Sequence, residues 1–219
     1  MRSSIRSTAS FLRRLLGDRK AVAYMEFAYT MPPVLLLFLG GGELANLAIA
    51  HSRLSQLAHM TADNAARVRN RMDEVDVNEI FTGTRLAGGS INLMQNGRVI
   101  LSSVEDNDAT TTNTQDQVIM WQRCKGLKQV TSSYGTEGQV LSQAIGSDGR
   151  RIQAKPGEPV VFVEIQYDYQ PLIGRGFFNV QTISYTSAYI VRDRPEGSMQ
   201  NGSNLSSGQK ATCGTYSAT

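Results

Sequence analysis

The sequence predicts an α+β fold: a long N-terminal membrane-spanning helix that continues into a stalk packed on a small antiparallel sheet. Three observations carry this. Residues 21–50, AVAYMEFAYTMPPVLLLFLGGGELANLAIA, form a nearly uninterrupted apolar run, and about 20 such residues suffice for a helix to cross the hydrocarbon core of a bilayer. Apolar residues then recur at three- and four-residue intervals as far as Met72, the signature of an amphipathic helix. From residue 99 onward the chain turns to alternating runs rich in Val, Ile and aromatic residues, as strands require.

Residues 1–21 read as a basic cytoplasmic leader. Arg2, Arg6, Arg13, Arg14, Arg19 and Lys20 precede the span and only Asp18 opposes them, a bias that keeps the N-terminus in the cytoplasm. The whole chain has 22 Lys and Arg against 19 Asp and Glu; without the leader's six bases and one acid, 16 remain against 18. The net basicity is therefore topogenic and gives no reason to expect a nucleic-acid partner.

The span is assigned to residues 22–50. Glu26 and Glu43 interrupt it with 16 uncharged residues between them. Because an ionised side chain at the bilayer centre costs roughly 2.5 to 3.5 kcal/mol, both acids are expected near the interfaces. Pro32 and Pro33 remove two consecutive backbone donors, so a kink or a locally melted turn is expected there. Gly41 and Ala45 form a small-xxx-small pair that permits close helix packing, although a flexible helix without specific contacts fits the same residues.

Residues 51–74 are expected to continue the helix. Leu47, Leu54, Leu57, Thr61, Ala65, Val68 and Met72 make one face, and His51, Arg53, Gln56, Asp63, Arg67 and Arg71 the other. From Val22 to Met72 such a helix would be on the order of 75 Å long at 1.5 Å per residue.

Residues 75–194 form the expected periplasmic α+β domain. It begins with a short helical segment at Asp76–Phe81 and a Gly-rich turn region at Gly83–Gly97, with Asn96-Gly97 as a hairpin-type turn. Half-buried strands are expected at Val99–Val104, Gln117–Cys124, Pro159–Tyr169 and Val180–Val191. The last two, joined by the Gly174-Arg175-Gly176 loop, should pair antiparallel, with the long helix backing the sheet. The tail, residues 195–219, is rich in Ser, Gly, Asn and Thr and reads as a solvated strap. It holds Cys213, whose only possible intrachain partner is Cys124. An oxidising compartment permits a disulfide between them, contributing roughly 4 to 5 kcal/mol by chain entropy; two free thiols are the alternative.

Catalytic patterns are absent from the sequence. It lacks a Gly-x-Ser-x-Gly elbow, a phosphate loop and a His-Glu-x-x-His helix, and both histidines, His51 and His59, fall on the stalk, eight positions apart. That spacing does not suit ligation from adjacent turns, so neither metal nor cofactor is expected. Glu105, Asp106, Asn107 and Asp108, followed by Asn113 and Asp116, read as a solvated acidic turn in preference to a calcium loop, since EF-hand spacing is missing. Tyr167 and Tyr169 share a strand face and read as packing.

Residues 13–50 resemble the N-terminal signature of the TadE-like minor pseudopilins of tight-adherence pilus systems. In that family a basic leader ends at a small residue, usually Gly, where a prepilin peptidase cuts, and a Glu-aromatic pair occupies the fifth and sixth mature positions. The matching cut lies between Ala21 and Val22, with Ala in place of Gly, and makes Glu26-Phe27 that pair. The prolines after the first turns and the Gly run before Glu43-Leu44 also resemble the family, as do Tyr167-Asp168-Tyr169-Gln170-Pro171-Leu172 and Val191-Arg192-Asp193-Arg194. The resemblance implies a pilin-like fold in the inner membrane, with prepilin peptidase and other pilin or pseudopilin subunits as partners. It also implies that Glu26 neutralises the new amine of Val22, although an interfacial acid beside the helix dipole fits Glu26 as well. The alternative function is an exported or membrane-anchored binding module, either cut by signal peptidase after Ala48-Ile49-Ala50 or left uncut.

Overall fold

The structure, a computed structural model, describes residues 19–107, 117–146, 151–174, 181–193 and 198–219. The leader up to residue 18, Asp108, Asn113 and Asp116 of the acidic turn, Arg175-Gly176, Val180 and Arg194 lie outside the described residues. The fold is α+β, with one long apolar N-terminal helix and a four-stranded antiparallel sheet. It divides into two compact units, one ending at Asn46 and the other running Leu47–Thr219.

Helix α1 (Arg19–Ala66) belongs to both units. Over residues 22–39 of the first unit it is mostly apolar and exposed: Tyr24, Phe27, Tyr29, Leu36, Leu37 and Phe38 are all exposed. The helix is long and apolar enough to cross a membrane. It stays helical through Pro32 and Pro33, so the expected melted turn is absent. Each proline removes one amide donor, and the ladder resumes on either side.

In the second unit α1 buries a stripe: Ala50, Leu54, Leu57, Ala58, Thr61, Ala62 and Ala65. Their three- and four-residue spacing makes one face, and the alanines let the helix backbone lie close to the sheet. The helix ends at Ala66, short of the expected residue 74. Asn70 adopts a left-handed conformation with φ of 62°. Met72 and Asp73 then leave the helical path to form β1 (Met72–Asp73), which pairs in parallel with β6 (Met199–Gln200). Val68 and Met72 thus lie beyond the helix, although Met72 is buried in the same core.

Asp73 also starts helix α2 (Glu74–Ala87). Its carboxylate accepts from the Val75 amide at 3.0 Å and its own amide donates to Asp76 at 2.9 Å, a capping box. This helix overruns the expected Asp76–Phe81 segment at both ends and includes Gly83, placed in a turn by the sequence reading. After a 3-10 turn at Gly89–Ile91 comes the short helix α3 (Leu93–Asn96). Asn96-Gly97 is therefore a helix-to-strand junction; the expected hairpin turn is not formed there.

The sheet comprises β2 (Gly97–Asp106), β3 (Gln117–Lys125), β4 (Val160–Asp168) and β5 (Thr182–Ile190) in the order β3-β2-β4-β5, antiparallel throughout. The expected pairing of the last two long strands is present, from Asp168↔Thr182 to Val160↔Ile190. Val99, Leu101, Trp121, Val161, Val163, Ile165 and Ile183 line the face that packs with α1, α2 and α3. The opposite face carries Val104, Ile119, Val160 and Phe162 against Tyr134, Leu141, Ile145 and Ala154 of the β3–β4 connection. Central strands β2 and β4 are thus buried on both faces along most of their length, where half-buried strands were expected. Their near-continuous apolar runs, VILSSV and VVFVEI, suit that environment.

The tail is largely exposed, as expected of a solvated strap, and it also closes the outer edge of β3: the Cys124 amide donates to the Ala211 carbonyl at 2.7 Å, and the Gly126 amide to the Ser217 carbonyl at 2.8 Å. Gly126, with φ of 115°, makes this approach possible. A Cβ there would fall 2.3 Å from the Gly97 carbonyl oxygen. Gly126→Ala is expected to destabilise the full chain in detergent by roughly 2 to 3 kcal/mol, read as a lowered thermal midpoint; an unchanged midpoint would refute the packing argument.

Candidate functional site

The candidate segment on α1 presents its groups to the surroundings. Ala21 and Val22 already lie within the helix. Val22 and Phe27 are 42% and 58% exposed, and Glu26 is also exposed. One turn further on, the Thr30 hydroxyl donates to the Glu26 carbonyl at 2.8 Å, which leaves the Glu26 carboxylate outside this local bond. Pro33, Gly41 and Ala45 are exposed, as is Pro32. Nothing lies within 4 Å of a Cβ built on Gly41. Glu43 differs from Glu26 in being buried, with 4% exposure.

The second unit carries its polar groups at the sheet. Cys124 and Cys213 form a disulfide with a Cα separation of 4.7 Å across 89 residues of sequence. Beside it lies Arg98, which is 1% exposed. Its guanidinium donates to the carbonyls of Gly126 and Thr215, both at 3.0 Å, and of Cys213 at 2.6 Å, and it stacks 4.0 Å from the Tyr216 ring centre. Three of these four partners belong to the tail. Burial lowers the Arg98 pKa, opposed by Tyr216, but the carbonyl cradle still solvates the charge.

On the helix-packed side, the Arg123 guanidinium grips the buried Glu74 carboxylate at 2.6 Å and Glu137 at 2.8 Å. Burial opposes the Arg123 charge, yet the two carboxylates raise its pKa overall. This joins α2, β3 and the following loop. On the other side Glu164, 2% exposed, accepts from the Ser132 hydroxyl and from the Ser133 amide at 2.9 Å. Burial pushes its carboxyl pKa up, and the serine hydrogen bonds only partly offset this.

The histidines have structural partners. His51 Nδ1 lies 3.1 Å from the Tyr185 hydroxyl, and His59 Nδ1 lies 2.8 Å from the Ser187 hydroxyl. His51, read from the sequence as part of the polar outer face, thus helps seat the stalk on β5. Tyr167 and Tyr169 are buried, and the Tyr167 hydroxyl donates to the Ile91 carbonyl at 2.9 Å. Among the described residues no group of His, Cys, Asp and Glu side chains is arranged to hold a metal.

Sequence reasoning missed Arg98, Glu74 and Glu164. A signal existed for two of them. Arg98 and Glu164 are charged residues abutting or interrupting runs too apolar to belong to an exposed strand, which marks them as buried groups needing partners. Glu74 gave no such signal, because its partner is 49 residues away.

Compared with protein-family models, curated proteins and solved structures, the chain gives no match.

Two outcomes follow from this geometry. Arg98→Met, which leaves the carbonyls of Cys213, Thr215 and Gly126 without their donor, should cost roughly 2 to 3 kcal/mol and speed reduction of the Cys124–Cys213 disulfide, measured by thiol labelling in graded reductant. For Glu164, a raised folded pKa means that the native chain binds the proton more tightly than the unfolded chain. The burial penalty is absent below the ordinary carboxylate pKa and fully present above the raised one. Glu164→Gln should therefore stabilise the chain at neutral pH, and its advantage over the wild type should fade on acidification; thermal midpoints across a pH series give the comparison.

Proposed function

We propose that this chain is a minor pseudopilin of the tight-adherence type, a structural component that helps to assemble or initiate a pilus after prepilin-peptidase processing. One observation carries the reading. The helix that bears Ala21-Val22 and the exposed Glu26-Phe27 pair is apolar on all sides in its first half, and in its second half it forms the main cover of a four-stranded antiparallel sheet. An all-round apolar helix needs lipid or other apolar helices around it, and a covered sheet with a disulfide suits an oxidising compartment. The chain then sits in the inner membrane with its N-terminus cytoplasmic and its sheet domain periplasmic. Its partners are the prepilin peptidase and other pilin or pseudopilin subunits.

On this reading, cleavage frees the Val22 amine one helical turn from Glu26. In a medium with little water, an unpaired carboxylate is costly and an amine, its own or a neighbour's, is the nearest compensation. Helix association is then favoured by charge neutralisation as well as by packing. Gly41 and Ala45, exposed and unobstructed, allow close approach on the same helix face.

Mass spectrometry of the mature N-terminus tests the processing: a chain beginning at Val22 is expected, whereas one beginning at His51 or retaining Met1 would overturn it. Glu26→Gln should still be cut but accumulate in the inner membrane without assembling. Unchanged co-purification with other pilin-like subunits would remove the pairing role.

A further inference from the structure

Helix α2, the end of β3 and the tail enclose a cleft within the second compact unit. Asn78, Phe81 and Arg85 fall at i, i+3 and i+7, which places them on one face of α2. Lys125, the last residue of β3, and Leu205 and Gln209 of the tail line the same cleft, whose volume is about 390 Å³. Its walls are fixed to one another. The Asn78 amide nitrogen donates to the Gln209 carbonyl at 3.0 Å, and the disulfide at Cys124, next to Lys125, ties the strand to the tail.

The cleft gathers positive charge without an acidic side chain. Neither Arg85 nor Lys125 forms an ion pair or a side-chain hydrogen bond among the described residues. Arg85 has a local reason for its charge, since it lies in the last turn of α2, where the carbonyl end of a helix favours a cation. Lys125 has none. It is half-buried, and loss of hydration, reinforced by the Arg85 guanidinium, lowers its pKa. No carboxylate among the described residues offsets either effect. A lysine drawn out of water beside a second cation loses hydration and gains no counter-charge, an imbalance that a bound anion removes. Gln209 adds an uncharged donor: its Oε1 accepts from the Ser206 amide and hydroxyl at 3.0 and 2.9 Å, and its Nε2 stays uncommitted among the described residues. Thr219 also borders the cleft, and its carbonyl accepts from the Ser217 hydroxyl at 2.7 Å.

The class of anion follows from this donor set. A single carboxylate would neutralise only one of the two cations. A phosphate group carries about two negative charges at neutral pH and offers three acceptor oxygens, enough for a guanidinium fork, an ammonium and an amide together. The volume lies toward the small end of the range for ligand sites, roughly 300 to 1,000 Å³. Phe81 and Leu205 supply apolar wall for a short organic group behind the phosphate.

We propose that this cleft binds a phosphate dianion, free or as the end group of a small monoester, held by Arg85 and Lys125. The site uses residues of the second unit alone and is independent of the pseudopilin reading.

Acylation of lysine amines in the full chain, kept in a sugar-headgroup detergent and quantified residue by residue by mass spectrometry, reads occupancy of the cleft. At fixed ionic strength, inorganic phosphate should slow acylation of Lys125 saturably and leave Lys155, exposed and outside the cleft, unchanged. Glycerol 3-phosphate in a parallel series separates the two sources. Stronger protection than by inorganic phosphate identifies the esterified form, and equal or weaker protection identifies the free ion. Arg85→Gln should raise the phosphate concentration for half-protection by about tenfold or more, and Arg85→Lys by much less. Broadening of the phosphate phosphorus resonance by the wild type gives a second reading, which Lys125→Gln should abolish. Thermal midpoints and disulfide mapping establish that the variants fold. Equal protection by chloride at the same ionic strength, no protection by either phosphate probe, or an unchanged half-protection concentration in Arg85→Gln would overturn the proposal.

Discussion

The structure depends on two strands that cannot face water on either side. Val99, Ile100 and Leu101 of β2, and Val160 through Val163 of β4, are all fully buried. Strands of this kind need cover on both faces. The α1 stripe and α2 supply one cover; the β3–β4 connection, through Tyr134, Leu141, Ile145 and Ala154, supplies the other. The Tyr134 and Phe162 rings meet edge-on at 5.2 Å, so the loop packs as a second layer although it contributes no strand to the sheet. The alanines of α1 follow from the same demand, since larger residues would lift the helix from a sheet already carrying Trp121 and Ile165.

The principal charged groups of this double core have partners suited to their charge. Arg123 and Glu74 meet as ions, Glu164 takes two serine donors, and Arg98 is held by carbonyls and an aromatic ring. Among the described residues the last arrangement includes no carboxylate, and the Arg98 Nε finds no hydrogen-bond partner. A salt bridge could be made by many local conformations. Three convergent carbonyls define one path for the tail, and that path brings Cys213 to Cys124. Specificity of tail placement, more than net stability, is what such a buried cation contributes.

Much of this was legible in the sequence. The strands expected at Val99–Val104, Gln117–Cys124, Pro159–Tyr169 and Val180–Val191 stand out because β-branched and aromatic residues concentrate between polar loops, and two cysteines leave one intrachain pairing. The helix-forming core of α2, Val77 to Phe81, was legible for similar reasons. Its full extent was not, because Gly83 and the following glycines argue locally for turns while burial of Phe81 and Thr84 holds the helix together. The end of α1 at Ala66 was hidden too: Val68 and Met72 continue the apolar spacing, but Asp73 is claimed by the next helix as its cap. The tail was legible in part, since most of its described residues are exposed. Its composition is that of a solvated segment, and only the distant Arg98 and Cys124 give it a fixed course. Local composition does not register a partner more than a hundred residues away.

The two halves of α1 obey different solvents. Between Val22 and Leu39 the side chains are mostly apolar and almost all exposed, with Glu26 the one charged group. From Ala50 to Ala65 the apolar residues retreat to one stripe while Arg53, Gln56 and Asn64 remain outside. A helix of the first kind requires an apolar medium on every side, and one of the second requires a single packed face and water opposite. The change from one kind to the other falls near the boundary between the two compact units, at Asn46 and Leu47. Within the second unit the packed face is completed by polar contacts at its margin, where His51 meets the Tyr185 hydroxyl and His59 the Ser187 hydroxyl.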